Sequence, residues 1–150
     1  MCTAYIMCGL PGSGKSTYIK KHLHHIKVIS RDIIRCELGY TSSADQKAVC
    51  TYEQEQLITN REDALINDAC INDIDFVIDD INTGKYRKSL IEKLRKYDNV
   101  TITGINIRTP LDVCVNRRKN DIPERIMKSI HAGCRFIEPD EVDNVINVRY

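Results

Sequence analysis

Gly9-Leu10-Pro11-Gly12-Ser13-Gly14-Lys15-Ser16-Thr17 is the stretch whose reading decides the fold. It fits G-x-x-x-x-G-K-[ST], the P-loop pattern. The apolar run Ala4-Tyr5-Ile6-Met7-Cys8 before it predicts a buried strand. Ser16 to Ile26 follows, with Tyr18, Ile19, Leu23 and Ile26 at helical spacing. Strand, glycine loop and helix are the context the pattern requires. Gly12 and Gly14 let successive backbone N–H groups turn toward one point, which makes an anion nest. The helix N-terminus adds unsatisfied donors and the positive end of its dipole. Gly12, Ser13, Gly14, Lys15, Ser16 and Thr17 are therefore expected to hold nucleotide phosphates. Lys15 would place its charge on the β- and γ-phosphates, and the Ser16 hydroxyl can ligate Mg²⁺. A glycine-rich turn without a ligand is the competing reading, and it leaves the complete set of fixed positions unexplained.

Composition sets the outer bounds. The 150 residues are expected to form one domain that buries roughly 70% of its unfolded-chain surface. A net charge of +1 excludes a global basic field, so any contact with nucleic acid must rest on local patches. The seven cysteines are odd in number, lack C-x-x-C spacing and lie mostly in apolar runs, which predicts reduced core thiols rather than disulfides or zinc ligands. No apolar run approaches the roughly 18 residues of a membrane span. With the P-loop beginning at residue 9, no secretory leader is expected. The expected location is the cytoplasm, of a host if the chain is viral, with no membrane partner.

Further along, Lys27 to Ser30 predicts a second strand, and Arg31-Asp32-Ile33-Ile34-Arg35 a short helix capped at or near Ser30. Ser43-Ala44-Asp45-Gln46 has the form of a capping box. It would open a long helix to about Ala69, with Val49, Tyr52, Leu65, Ile66 and Ala69 among its apolar positions. Asp75 to Asp79 predicts a third strand. Gly84 to Tyr97 is amphipathic, with Tyr86, Leu90, Ile91 and Leu94 set against Lys85, Lys88, Arg95 and Lys96. Val100 to Ile107 predicts a fourth strand, Thr109-Pro110 a capped helix start running to about Lys119, Pro123 a second start running to about Ala132, and Val145 to Val148 a fifth strand. Alternation of strands and helices predicts an α/β fold: a mainly parallel five-stranded sheet with helices on both faces. Ligands of such sheets sit at the carboxyl ends of the strands. That would gather the P-loop, Arg31-Asp32, Asp79-Asp80 and the turn at Ile107 to Pro110 around one mouth.

Residue chemistry sharpens this picture. Asp32 and Arg35 are three apart on a helix and share a face. A carboxylate there can accept the proton of an acceptor hydroxyl, and Arg35 can bind an acceptor phosphate in bidentate fashion. A local cap with a surface ion pair is the structural alternative. Asp79 and Asp80 close the third strand, where a Walker-B-like carboxylate holds Mg²⁺, and spacing does not choose between them. Arg117, Arg118 and Lys119 end the fifth helix as a basic lid over about residues 117–123, although a helix C-terminus attracts cations in any case. His22, His24 and His25 have no Cys or carboxylate cluster beside them and read as charge at a helix C-terminus.

These residues resemble the kinase domain of phage-type 5′-polynucleotide kinase, within the small P-loop kinases. The resemblance is carried by Gly9 to Thr17, by Ser30-Arg31-Asp32-Ile33-Ile34-Arg35, by Asp80-Ile81-Asn82, by the helix from Pro110 to Arg117 with its basic lid and Ile122-Pro123, and by Phe136 to Pro139 through Ile146. It covers nearly the whole chain. It implies ATP or another NTP as donor, Mg²⁺ as cofactor and a 5′-OH nucleic acid end as acceptor. It implies catalytic roles for Lys15, Asp32, Arg35 and Arg118, and donor contact for Arg117. Arg31, Asp32, Arg35, Asp80 and Asn82 would meet the acceptor, and Ser16 and Asp80 the metal. Ser30 stands where the phage pattern has Asn, and Ile81 where it has Thr. The second lid Arg of the family, four positions beyond Arg117, falls on Asp121, so Arg118 takes that role by a shifted alignment.

Two other readings use the same residues. One is a P-loop kinase of a small molecule, such as a nucleotide kinase or a zeta-toxin-like kinase. The other is a nucleotide-binding regulatory module without turnover. Arg35 separates the first from the favoured reading, because it is useful only where the acceptor carries a phosphate next to its hydroxyl. Asp32, a base aimed at an acceptor, argues against the second.

Overall fold

The computed structural model describes residues 1–41, 50–82 and 84–150. Its strands are β1 (Cys2–Cys8), β2 (Lys27–Ile29), β3 (Phe76–Ile78), β4 (Val100–Arg108) and β5 (Asn144–Arg149). Its helices are α1 (Lys15–His22), α2 (Arg31–Glu37), α3 (Tyr52–Ile71), α4 (Lys85–Leu94), α5 (Leu111–Arg117) and α6 (Glu124–Ala132). The strands form one sheet in the order β2-β3-β1-β4-β5, and every pairing is parallel. This is the expected α/β architecture, the P-loop kinase fold.

Alternation along the strands builds two layers. Ala4, Ile6 and Cys8 of β1, with Phe76 and Ile78 of β3, face Ile66 and Ala69 of α3 and Leu90 and Leu94 of α4. Met7 and Val77 point the other way, with Ile105 and Ile107, onto Ile19 and Leu23 of α1. A third cluster, Leu10, Cys114, Ile122 and Met127, seats the α5–α6 pair beside the P-loop. Each fully buried aliphatic side chain of this kind contributes roughly 1.5–3 kcal/mol. The topology also fixes where a ligand can enter. β1 and β3 are neighbours, yet β1 leads outward to β2 while β3 leads across to β4. Their connections diverge, and a crevice opens at their carboxyl ends.

Several element boundaries depart from the sequence reading. α1 stops at His22, not Ile26, because the chain turns so that Ile26 packs with Leu23 beneath the sheet. The Ser43–Gln46 capping box and Val49 lie outside the described residues. α3 itself starts at Tyr52, where Thr51 and Gln54 form a reciprocal capping box: the Thr51 hydroxyl accepts the Gln54 backbone N–H at 3.1 Å, and the Gln54 side-chain Oε1 accepts the Thr51 N–H at 2.8 Å. Tyr52, assigned to the apolar face, is exposed, and Ile58 is buried instead. Tyr86 of α4 is likewise exposed. Arg87 takes the inward place and is satisfied there by Glu141 at 3.1 Å, by the Asn82 carbonyl at 2.8 Å and by the Arg135 carbonyl. Ser30 caps α2 as expected, accepting the Ile33 N–H. Thr109 does not cap α5. Pro110 is the N-cap, and the Thr109 hydroxyl is used elsewhere. Pro123 likewise stands at the N-cap of α6. All seven cysteines are free thiols.

Candidate active site

The site begins with the backbone of the loop after β1. Gly12 and Gly14 have φ of 79° and 101°, in the left-handed region that favours glycine. A Cβ on Gly12 would also lie 2.8 Å from the Arg118 Cγ. The Thr109 hydroxyl donates to the Ser13 carbonyl at 2.6 Å, which ties the loop to the end of β4. Lys15 opens α1, and its ammonium donates to the Gly9 and Leu10 carbonyls at 3.1 and 3.0 Å. Burial pulls the Lys15 pKa below the ordinary lysine value, and the Asp79 charge is the main opposing influence. Lys15 therefore folds back over its own loop, a short swing from any phosphate the nest would hold.

The crevice beside the loop carries the two aspartates, and the structure separates them. Ser16 Oγ donates to Asp79 Oδ2 at 3.2 Å. Burial raises the Asp79 pKa, against the Lys15 charge and the Ser16 hydrogen bond. Asp80 turns the other way and accepts the Arg31 backbone N–H at 3.2 Å. Its carboxyl is pushed up to about 7, first by burial and then by the nearby Glu62 charge. Asp79, not Asp80, thus stands with Ser16 in a pair of hard oxygen donors. Mg²⁺ is ordinarily held by one or two carboxylates together with substrate phosphates and water, so this pair fits it. Among the described residues no group of three or more His, Cys, Asp or Glu could form a cage for a metal.

One cleft of about 1020 Å³ brings together Gly12, Ser13, Gly14, Lys15, Ser16, Thr17, Asp32, Asp79, Asp80, Arg117 and Arg118. Arg31, Arg35 and Asn82 do not line it. Arg117 Nη1 donates to the Gly12 carbonyl at 3.0 Å, and its guanidinium stacks 5.6 Å from the Tyr150 ring. Arg118 pairs with Asp121 through Nε at 2.9 Å and Nη2 at 2.6 Å. The acidic residue at the lid position where the phage pattern has Arg therefore holds Arg118 in place. Asn82 has φ 52°, and its amide donates inward to the Met7 carbonyl at 2.8 Å. In this position it clips the β3 exit to β1.

On the α2 side, Arg35 Nη1 donates to Asp32 Oδ1 at 2.8 Å and Nη2 to the Glu55 carboxylate at 3.2 Å. Arg31 Nη2 donates to the same carboxylate at 2.8 Å and Nη1 to Thr59 Oγ1 at 3.1 Å. Glu55 and the buried Glu62, both on α3, escaped the sequence reading because charged residues on a long helix normally mark its solvated face. Arg149 and Tyr150 also line the cleft and were missed. Applying the carboxyl-end rule to the fifth strand would have found them.

A family model described as an AAA domain, AAA_33, matches residues 5–124. The chain belongs to this family. Among relatives of this AAA domain, an L-seryl-tRNA(Sec) kinase from Methanococcus maripaludis is 25% identical over 129 residues, 84% of this chain and 50% of that protein. The chain thus spans about half the length of that curated relative. Among solved structures, a chain of the Pnkp1/Rnl/Hen1 RNA repair complex superposes with a TM-score of 0.73 at 19% identity, over 87% of this chain and 43% of that one. A gluconokinase from Sinorhizobium meliloti superposes with a TM-score of 0.56 at 15% identity, over 98% and 82%. These structural likenesses are of fold. Among the described residues no helix is long and apolar enough to cross a membrane.

Proposed function

We propose that this AAA domain is an ATP-dependent kinase of 5′-hydroxyl nucleic acid ends, acting from the cytoplasm. The observation that carries the reading is the shared cleft. Lys15, Ser16 and Asp79 stand at its phosphate end and Asp32 at its α2 wall, with Arg35 ion-paired to Asp32 one helical turn on. The P-loop nest takes the β- and γ-phosphates of ATP, and Lys15 leaves its loop carbonyls to meet them. Ser16 and Asp79 are the proposed protein ligands of Mg²⁺, which when bound neutralises phosphate charge. Asp80, the metal residue that the resemblance implies, is assigned instead to fixing the start of α2 through the Arg31 N–H. Asp32 orients the 5′-hydroxyl and accepts its proton as the oxygen bonds to the γ-phosphorus and the bond to ADP breaks. Arg117 and Arg118 approach the phosphates from the lid side.

Arg35 points to Asp32 and Glu55 and does not line the cleft, an observation that favours the small-molecule reading. An ADP-release assay over four conditions decides: no acceptor, nucleoside, nucleoside 3′-monophosphate, and a 5′-OH oligonucleotide. Acceptance of the last two, with the bare nucleoside poorer by roughly 10–150-fold, is expected if Arg35 contributes a charged hydrogen bond to the acceptor phosphate. Equal rates with nucleoside and nucleoside 3′-monophosphate would favour a small-molecule kinase. ADP binding with no turnover on any acceptor would favour a regulatory module.

A further inference from the structure

Arg31 and Arg35 lie one turn apart on α2 and converge on a single carboxylate. Glu55 Oε2 accepts from Arg31 Nη2 at 2.8 Å and from Arg35 Nη2 at 3.4 Å, and Oε1 accepts from Arg35 at 3.2 Å. Two convergent guanidiniums are the fork geometry that recognises a phosphate. We propose that Glu55 is a specificity-determining residue: it holds the acceptor-phosphate site closed in the free protein and is displaced by the phosphate of a correct acceptor. The inference rests on the polynucleotide kinase reading and deepens it.

Exposure tells a placeholder from a support. The Glu55 side chain is 37% exposed, against 24% for Arg31 and 19% for Arg35, so the carboxylate sits on the solvent side of the clamp and has a way out. The supports lie underneath. Glu62 is 10% exposed and stands 3.8 Å from Arg31 Nη1, and Thr59 Oγ1 accepts from the same nitrogen at 3.1 Å. Arg35 keeps its 2.8 Å bond to Asp32. Both guanidiniums therefore stay anchored when Glu55 leaves. Burial opposes the Glu55 charge, but the Arg31 and Arg35 contacts outweigh it and hold the carboxyl below its usual range, so the group that leaves is an anion. A phosphate then replaces one anion with another of equal or greater charge. An acceptor lacking a phosphate cannot make that exchange and meets a clamp already filled.

The test uses the full chain saturated with ADP and Mg²⁺, so that the P-loop is filled, and titrates nucleoside 3′-monophosphate by calorimetry. Glu55→Ala should bind it about tenfold tighter than wild type, and Glu55→Gln, which keeps the side-chain volume, should fall between them. Arg35→Ala combined with Glu55→Ala should lose the gain. In the wild-type protein, the carbon NMR signal of the Glu55 carboxyl should move toward that of a free glutamate as the ligand is added. Weaker binding in both Glu55 variants would overturn the proposal and make Glu55 a support. Unchanged binding with an unmoved Glu55 signal would overturn it too, because the phosphate then goes elsewhere. Tighter binding in the variants, without phosphorylation of the ligand by wild type, would keep the clamp and sink the polynucleotide kinase reading alone.

Discussion

The two walls of the cleft are built from different materials. The phosphate wall is mostly backbone: two glycines with positive φ, a carbonyl pinned by Thr109, and Lys15 bonded to loop carbonyls. The α2 wall presents the Asp32 side chain, and behind it stands a side-chain network of Arg35, Arg31, Glu55 and Glu62, drawn from two helices packed against each other. A backbone nest offers the same donors to any polyphosphate and has little to rearrange. A network of long charged side chains can exchange partners, which suits the side where substrates must be told apart. The contrast teaches that, on the proposed function, donor binding would be a property of one short segment and acceptor choice a property of helix packing.

Paired substitutions sharpen that division, and they carry the largest expected effect. Asp32→Asn should lower kcat by roughly 10²–10⁴ while leaving ADP affinity near wild type, because the proposed role of Asp32 is on the acceptor. Lys15→Ala should cost on the order of 10²–10³ in rate and weaken ADP binding as well, in a protein whose circular dichroism is unchanged. If Asp32→Asn impaired ADP binding and spared kcat, the assignment of the two walls would be reversed.

Asp80 lies between the walls and offers a test by pH. Its folded pKa of about 7 stands above the ordinary aspartate value, chiefly through burial. A raised carboxylate means that the native state binds more protons than the unfolded chain between about pH 4 and 7. This group therefore makes stability fall as pH rises through that window. Asp80→Asn removes the charge and keeps an oxygen for the Arg31 N–H. It should stabilise the ligand-free protein at pH 8 by roughly 1–3 kcal/mol, with the gain fading toward pH 4. Denaturant titration at the two pH values checks this, and a gain independent of pH would mean that Asp80 is not the titrating group. The smallest effect expected is that of Thr109→Val. Leaving the Ser13 carbonyl without its donor should cost about 1–2 kcal/mol in unfolding free energy and weaken ADP binding in parallel. Lower stability with untouched ADP affinity would show that the loop holds its shape without this tie.

Gly12, Gly14, Lys15 and Ser16 were legible because each acts through local backbone geometry within one run of nine residues. The β-strands were legible as short apolar runs, and their alternation matched the two layers they bury. Asp79 and Asp80 were not separable in the same way. Both lie just past the end of β3, and which of them faces Ser16 depends on how the chain leaves β3 beside β1. Glu62 shows the reverse difficulty. A glutamate on a twenty-residue helix reads as solvated until a neighbouring helix covers it with Arg31. Tyr86 and Arg87 exchanged roles for a related reason. The inward position of α4 meets carbonyls of the Asn82 and Arg135 segments, which a guanidinium satisfies and a phenol ring does not.

By itself, then, the sequence determined the fold class, the strand-loop-helix unit and its anion nest, because these depend on interactions between residues close along the chain. The tertiary structure alone decided that Asp79 stands with Ser16, that Thr109 holds the P-loop rather than a helix end, and that Arg31 and Arg35 close on Glu55. Each of these contacts joins residues 20 to 96 positions apart. Side-chain hydrogen bonds over such separations arise only when the sheet order and the packing of α2 on α3 bring the partners within 3 Å or so of each other, and no local pattern encodes that distance.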